Sequence, residues 1–175
     1  MRWRKRFRGD DDRGAALVEF AIIMPLLFLI LFGIIEFAIA YNDYQSIRQG
    51  ARDGARQAVV KDYGSDTSCD ITGAAASAPD HAKRIICTTK ARTGLGDDVR
   101  VGLRYTDNAP VNNFKNDTLK VCVVRLVDPV TGLLDPFLDD RPLRTEVDMR
   151  VEREVELVAG DYLETDPSGE NWAWC

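Results

Sequence analysis

Residues 14–41 read GAALVEFAIIMPLLFLILFGIIEFAIAY, with charges only at Glu19 and Glu36 and none from Phe20 to Ile35. A bilayer's hydrocarbon core is about 30 Å thick and an α-helix rises about 1.5 Å per residue, so roughly 20 helical residues cross it. This stretch is long enough to span. Arg2, Arg4, Lys5, Arg6, Arg8 and Arg13 precede it, and Arg48, Arg52 and Arg56 follow. Lys and Arg beside a span are retained on the cytoplasmic side. The expectation is a single-pass anchor in the cytoplasmic membrane, N-terminus inside and the bulk of the chain outside. A secretory signal has a shorter apolar region, about 7–15 residues, with a small-residue cleavage site after it. Here the run is longer, and the one such string, Ala38-Ile39-Ala40, comes only after Glu36.

Working outward, the 175-residue chain leaves room after the span for one small domain and argues against a large catalytic architecture. The formal net charge is −5, but the basic head masks an acidic remainder: beyond residue 14 there are 17 Lys and Arg against 25 Asp and Glu, a net of −8. An acidic exported domain argues against nucleic acid as a partner, which requires a basic footprint. Cys69, Cys87, Cys122 and Cys175 all follow the span. An even count on the outward side suits two disulfides, which persist in oxidising compartments. Of the three possible pairings we favour Cys69 with Cys87, a local link, and Cys122 with Cys175, which would tie down the tail. With no C-x-x-C pair and His81 the only histidine, neither zinc nor redox chemistry is supported, and no metal or cofactor is expected.

The organisation reads as a leader (1–14), a transmembrane helix (15–41), a helical extension (42–62) and an exported α+β domain (63–175). No proline falls between Glu36 and Val60, and Ile35, Ala38, Ile39, Ile47, Ala51, Ala55 and Ala58 keep a helical stripe, so the span continues outward as one amphipathic rod. Gly50, Ala51, Gly54 and Ala55 put small side chains on one side, permitting close approach of another element, either the protein's own sheet or a second copy. Tyr63-Gly64-Ser65-Asp66 is a turn. A helix starts near Ala78-Pro79-Asp80, with proline in its first turn, and ends at Gly94 and Gly96.

From there the period becomes two. Val99, Val101, Leu103 and Tyr105 alternate with Arg100, Gly102, Arg104 and Thr106 in a half-buried strand. Leu119 to Val127 is apolar on both faces, which suggests a central strand. Val147, Met149, Val151, Val155 and Leu157 alternate with charged residues, so one face of a sheet of about three antiparallel strands looks at water. The loop 128–144, with Pro129, Gly132, Pro136 and Pro142 around Leu133, Leu134, Phe137 and Leu138, reads as an interaction loop. Its Asp128, Asp135, Asp139 and Asp140 lack EF-hand spacing and read as solvated acids rather than a calcium site. The acidic tail 160–175 ends in Trp172-Ala173-Trp174-Cys175, indoles suited to covering the domain's own core. Asn116-Asp117-Thr118 has the form of a glycosylation sequon only.

Glu19 lies near the cytoplasmic end of the span, where an unpaired carboxylate is costly and therefore a functional candidate. Glu36, about 25 Å further along, reads as interfacial. The string Arg13-Gly14-Ala15-Ala16-Leu17-Val18-Glu19-Phe20 resembles the class III signal of Flp-type pilins and pseudopilins, which a membrane aspartyl prepilin peptidase processes. The resemblance runs through Pro25 into Gln49-Gly50-Ala51-Arg52-Asp53-Gly54-Ala55-Arg56, similar to the small-residue, arginine-bearing helix of TadE-like proteins of the tight-adherence pilus system. It implies a type IV pilin-like fold, with the long helix packed on a small sheet. It also implies cleavage after Gly14, a new amine at Ala15, and a role for Glu19, with Phe20 beside it, in subunit registration. An α-amine titrates near 8 and is largely cationic at neutral pH. One helical turn from Glu19, it can pair with that carboxylate within a subunit or between staggered neighbours.

Flp-type pilins end soon after the helix, whereas here a disulfide-capable domain follows, which favours a minor pilin or pseudopilin in pilus assembly or initiation. Its partners would be the membrane, the peptidase, and other pilins, pseudopilins and assembly proteins. The alternative is a single-pass extracytoplasmic binding or receptor domain. An anchored enzyme ranks below both: there is no Gly-x-Ser-x-Gly, no second histidine and no supported acid pair, so no catalytic residue is expected.

Overall fold

The computed structural model describes residues 11–60, 64–106, 118–132, 134–151 and 160–175. The head through Asp10, the turn residue Tyr63, Asn116 and Asp117 of the sequon, Leu133, and Val155 and Leu157 of the expected third strand lie outside the described residues.

Helix α1 runs Asp11–Val60 without interruption, with Pro25 inside it. Its first half stands clear of the domain, with Leu17, Ile22 and Leu26 each more than half exposed. Its second half is buried at Ile47, Ala51, Ala55 and Ala58, whereas Ile35 is exposed. The apolar stripe therefore becomes core only from Ile47 onward. Before that point the described residues meet the rod mainly through Val130 and Thr131 at Glu36 and through Arg125 at Asp43.

A 3-10 turn at Gly73–Ser77 leads to helix α2, Asp80–Thr93. Pro79 precedes α2 with extended backbone, Asp80 lies in the first turn, and Lys90 and Arg92 lie in the last, the polarity that suits the helix dipole. Gly94 closes it in the left-handed region, φ 68°, a conformation that glycine adopts without steric cost. A second 3-10 turn, Gly96–Asp98, leads into the sheet.

Four antiparallel strands follow: β1 Arg100–Thr106, β2 Thr118–Leu126, β3 Pro142–Arg150 and β4 Tyr162–Leu163, in the order β3-β2-β1-β4. A one-turn helix α3, Asp135–Leu138, lies between β2 and β3. The register places Leu103 opposite Val121 and Val121 opposite Val147. Val101, Leu103, Tyr105, Leu119, Val121 and Val123 form one core with the α1 residues above and with Ala82, Ile85 and Ile86 of α2. Each large aliphatic side chain buried there contributes about 1.5–3 kcal/mol.

Three sequence expectations need correction. The third strand begins at Pro142, so Pro142, Leu143 and Arg144 belong to β3 and not to the loop. The tail supplies a fourth strand where about three were expected. The far face of the sheet is also less exposed than alternation suggested. Cys122 and Val124 are fully buried there under Trp172, with Leu163, Trp174 and Cys175 packed alongside. Gly102 makes room for this cover, since a Cβ at that position would lie 3.0 Å from both Leu163 Cδ2 and Trp172 Cε3.

The architecture is thus α+β, a long apolar helix whose outer half packs on a small antiparallel sheet. The structure joins Cys69 to Cys87 and Cys122 to Cys175, the two pairs favoured from the sequence, and leaves no free cysteine.

Candidate functional site along the first helix

The candidate residues fall at three levels of α1. At the first, the Gly14–Ala15 peptide lies within α1, and glycine costs about 1 kcal/mol of helix propensity relative to alanine. Gly14 is exposed, and nothing lies within 4 Å of the place a Cβ would occupy. Glu19 and Phe20 are exposed on the helix, Phe20 by 58 %. Ala15 and Glu19 are one turn apart, about 6 Å along the axis. Pro25 has no N–H to give the carbonyl of Ala21, so the ladder is open at that step.

At the second level sits Glu36, only 3 % exposed although Ile35 and Phe37 on either side of it are exposed. Its carboxylate accepts hydrogen bonds from the Val130 N–H at 3.1 Å, the Thr131 N–H at 2.6 Å and the Thr131 hydroxyl. The loop between β2 and β3 thus folds back along the rod and supplies the polar partners that a carboxylate at a bilayer edge lacks. The expectation of an interfacial Glu36 did not foresee these partners. Two turns further out, Asp43 and Arg125 form an ion pair, each side chain about one-sixth exposed, joining α1 to the end of β2.

The third level is the run Arg48–Arg56. Gly50 and Gly54 face α2 and not the sheet, which corrects the packing expected from sequence. A Cβ on Gly50 would lie 2.4 Å from Thr93 Cγ2, and one on Gly54 would lie 2.1 Å from Thr89 Oγ1. Both threonines are branched at Cβ and buried, so only the absence of a side chain on α1 lets the two helices come together. Ala51 and Ala55 sit in the main core. With the small residues turned inward, Arg48, Arg52 and Arg56 are exposed.

Away from α1 the structure holds one group of buried charges that sequence reasoning did not find. Lys90 Nζ donates to Glu164 Oε1 at 2.9 Å, with side chains 3 % and 0 % exposed, and to the carbonyl of Asp70. Glu164 also accepts from the N–H groups of Thr72 at 3.2 Å and Val101 at 2.7 Å. The tail, α2, β1 and the first 3-10 turn meet there. Nearby, burial works to raise the pKa of Asp166, but hydrogen bonds from the Ser168 hydroxyl and from the Trp172 and Ser168 N–H groups hold it below the usual carboxylate range. Burial pushes the Tyr162 phenol up. Among the described residues, no group of three or more His, Cys, Asp or Glu side chains is placed to hold a metal ion.

The family model for "TadE-like protein" matches residues 14–56. The matched segment starts at Gly14 and ends at Arg56, the last arginine of the run, so the similarity covers all three levels of the rod and about a quarter of the chain. No curated protein and no solved structure matches the chain.

Proposed function

We propose, from this TadE-like segment, that the chain is a minor pilin or pseudopilin of a tight-adherence pilus system. It is held in the cytoplasmic membrane by α1 with its domain outside, and it is the substrate of a prepilin peptidase and not itself an enzyme. The observation that carries the reading is the coincidence, on one exposed apolar helix, of Gly14-Ala15 just before the apolar run with Glu19 one turn further in.

Hydrolysis of the Gly14–Ala15 bond would leave a carboxylate on the leader and an amine on Ala15. That amine, largely protonated at neutral pH, would lie at a depth where Glu19 can pair with it. An unpaired carboxylate in hydrocarbon is costly, so pairing would favour helices aligned in one register over misaligned ones. The domain matters to this reading because its two disulfides and buried core make a folded head too large for a bare fibre subunit, as suits a component acting in assembly or initiation with other pilins or pseudopilins.

The test is the N-terminus. Mass spectrometry of protein extracted from membranes that contain the peptidase should find Ala15 as the first residue, and Gly14→Leu should retain the leader. An intact head on the parent protein under those conditions would sink the proposal.

A further inference from the structure

We propose that the tip of the loop between β2 and β3, pointed by Val130 and Phe137, rests in the outer headgroup zone of the same bilayer that α1 crosses. The inference depends on α1 spanning a bilayer and not on the pilus reading.

The hydrogen bonds of Glu36 set the level of the tip. The charge-free run ends at Ile35, and a core of about 30 Å measured back from there along a helix begins near Leu17, so Glu36 marks the outer edge of the hydrocarbon. Because the Val130 N–H lies 3.1 Å from a carboxylate oxygen of Glu36, the loop backbone sits at that same edge. Val130 and Phe137 are each 70 % exposed, large apolar side chains left bare on the loop. On the rod at this level Phe37 and Tyr41 are also bare and stacked on one another, 6.3 Å between ring centroids, aromatic residues of the kind that collect at the boundary between hydrocarbon and water. The loop's apolar points thus continue a surface that lipid already covers.

The loop's charges set a limit on depth. Asp128, Asp135, Asp139 and Asp140 flank the tip, and carboxylates do not enter hydrocarbon unpaired. The tip therefore lies shallow, and zwitterionic headgroups suit it better than anionic ones. Held by Glu36 on one side and by lipid on the other, the loop would fix how the domain stands on the membrane.

The full chain with Trp3→Phe, reconstituted in phosphatidylcholine vesicles, provides the test. Val130→Trp and Phe137→Trp are made separately, and Leu27→Trp marks the middle of the span; all three positions are exposed, so the core is left untouched. Acyl chains brominated near the headgroup should reduce the fluorescence added at 130 or 137 about twofold, and chains brominated near the methyl end should reduce it less. Leu27→Trp should show the reverse order. If Leu27→Trp is quenched by lipid while both tip positions are quenched only by aqueous acrylamide, the tip is in water and the proposal fails. If neither lipid nor acrylamide reaches the tip, another protein copy covers it and the proposal also fails. An unquenched Leu27→Trp overturns the span and the proposal with it.

Discussion

A single methyl group at Gly54 has no room. Its carbon would lie 2.1 Å from Thr89 Oγ1, and Thr89 cannot swing aside freely because that hydroxyl donates to the Ile85 carbonyl at 2.8 Å in a fully buried position. Alanine is the better helix former by about 1 kcal/mol, but overpacking a close contact costs about 1–3 kcal/mol, so the clash decides the sign. Gly54→Ala should lower the melting temperature of the detergent-solubilised chain, and Gly54→Val should lower it further. Gly33→Ala, with nothing within 4 Å of the new carbon, should leave the temperature unchanged or raise it. A dimer face at these glycines would instead change the oligomeric state. A second residue-scale effect concerns Asp166, whose folded pKa lies below its unfolded value. Its contribution is present above the unfolded value of about 3.9 and is lost as pH falls through the folded value. Acid titration below about pH 4 should therefore loosen the tail, read as a change in Trp172 emission, and Asp166→Asn should remove that step.

Among the elements, the tail shows what a disulfide does for a segment with little structure of its own. Cys122–Cys175 closes 53 residues of chain and Cys69–Cys87 closes 18, which in the chain-entropy account correspond to about 4 and about 3 kcal/mol. Replacing Cys122 and Cys175 together by Ala should therefore destabilise more than replacing Cys69 and Cys87, in denaturant titrations followed by far-ultraviolet circular dichroism. Equal losses would show that the length of the closed loop does not set what each disulfide contributes. The regular elements were legible in sequence because their signals are periodic or local. The alternation at Val101, Leu103 and Tyr105 gave β1, Pro79-Asp80 and Gly94 bounded α2, and the charge-free run gave α1. Strand β4 was not legible, since two residues carry no period. Nor was the Lys90–Glu164 pair, because a lysine in a helix and a glutamate in an acidic tail both read as solvated, and only the fold brings them together across 74 residues. At the candidate site, Glu19 stood out as a charge in an apolar run, and the roles proposed for Gly14, Ala15, Glu19 and Phe20 rest on the resemblance to pilin signals. Glu36 read as interfacial, and a backbone amide leaves no mark in the sequence, so Val130 was invisible as its partner.

For the molecule as a whole, the 50 described residues of α1 make a rod about 75 Å long, and the described core residues grip it from Ile47 outward. Short of that grip, two polar ties among the described residues join rod and domain, Glu36 to the loop amides and Asp43 to Arg125. Each acts on the angle between span and domain more than on the fold, because the core lies beyond both. A hydrogen bond to a charged acceptor contributes about 1.5–3 kcal/mol, so Glu36→Ala should make the Val130 and Thr131 amides exchange with solvent roughly tenfold or more faster. The same substitution should leave amides at Ile85, Val101 and Val121 protected. With Asp43→Asn added, spin labels carried by noncanonical side chains at Leu27 and Glu146 should change from a narrow to a broad distance distribution, with the melting temperature of the domain little altered. A distribution that stays narrow would show that the packing from Ile47 to Ala58 alone fixes the pose. Broadening would show instead that a carboxylate placed at the bilayer edge, with a loop folded back to meet it, holds the domain at a set angle to the membrane. That is a role for Glu36 separate from the one proposed for Glu19, although the two residues interrupt the same apolar run.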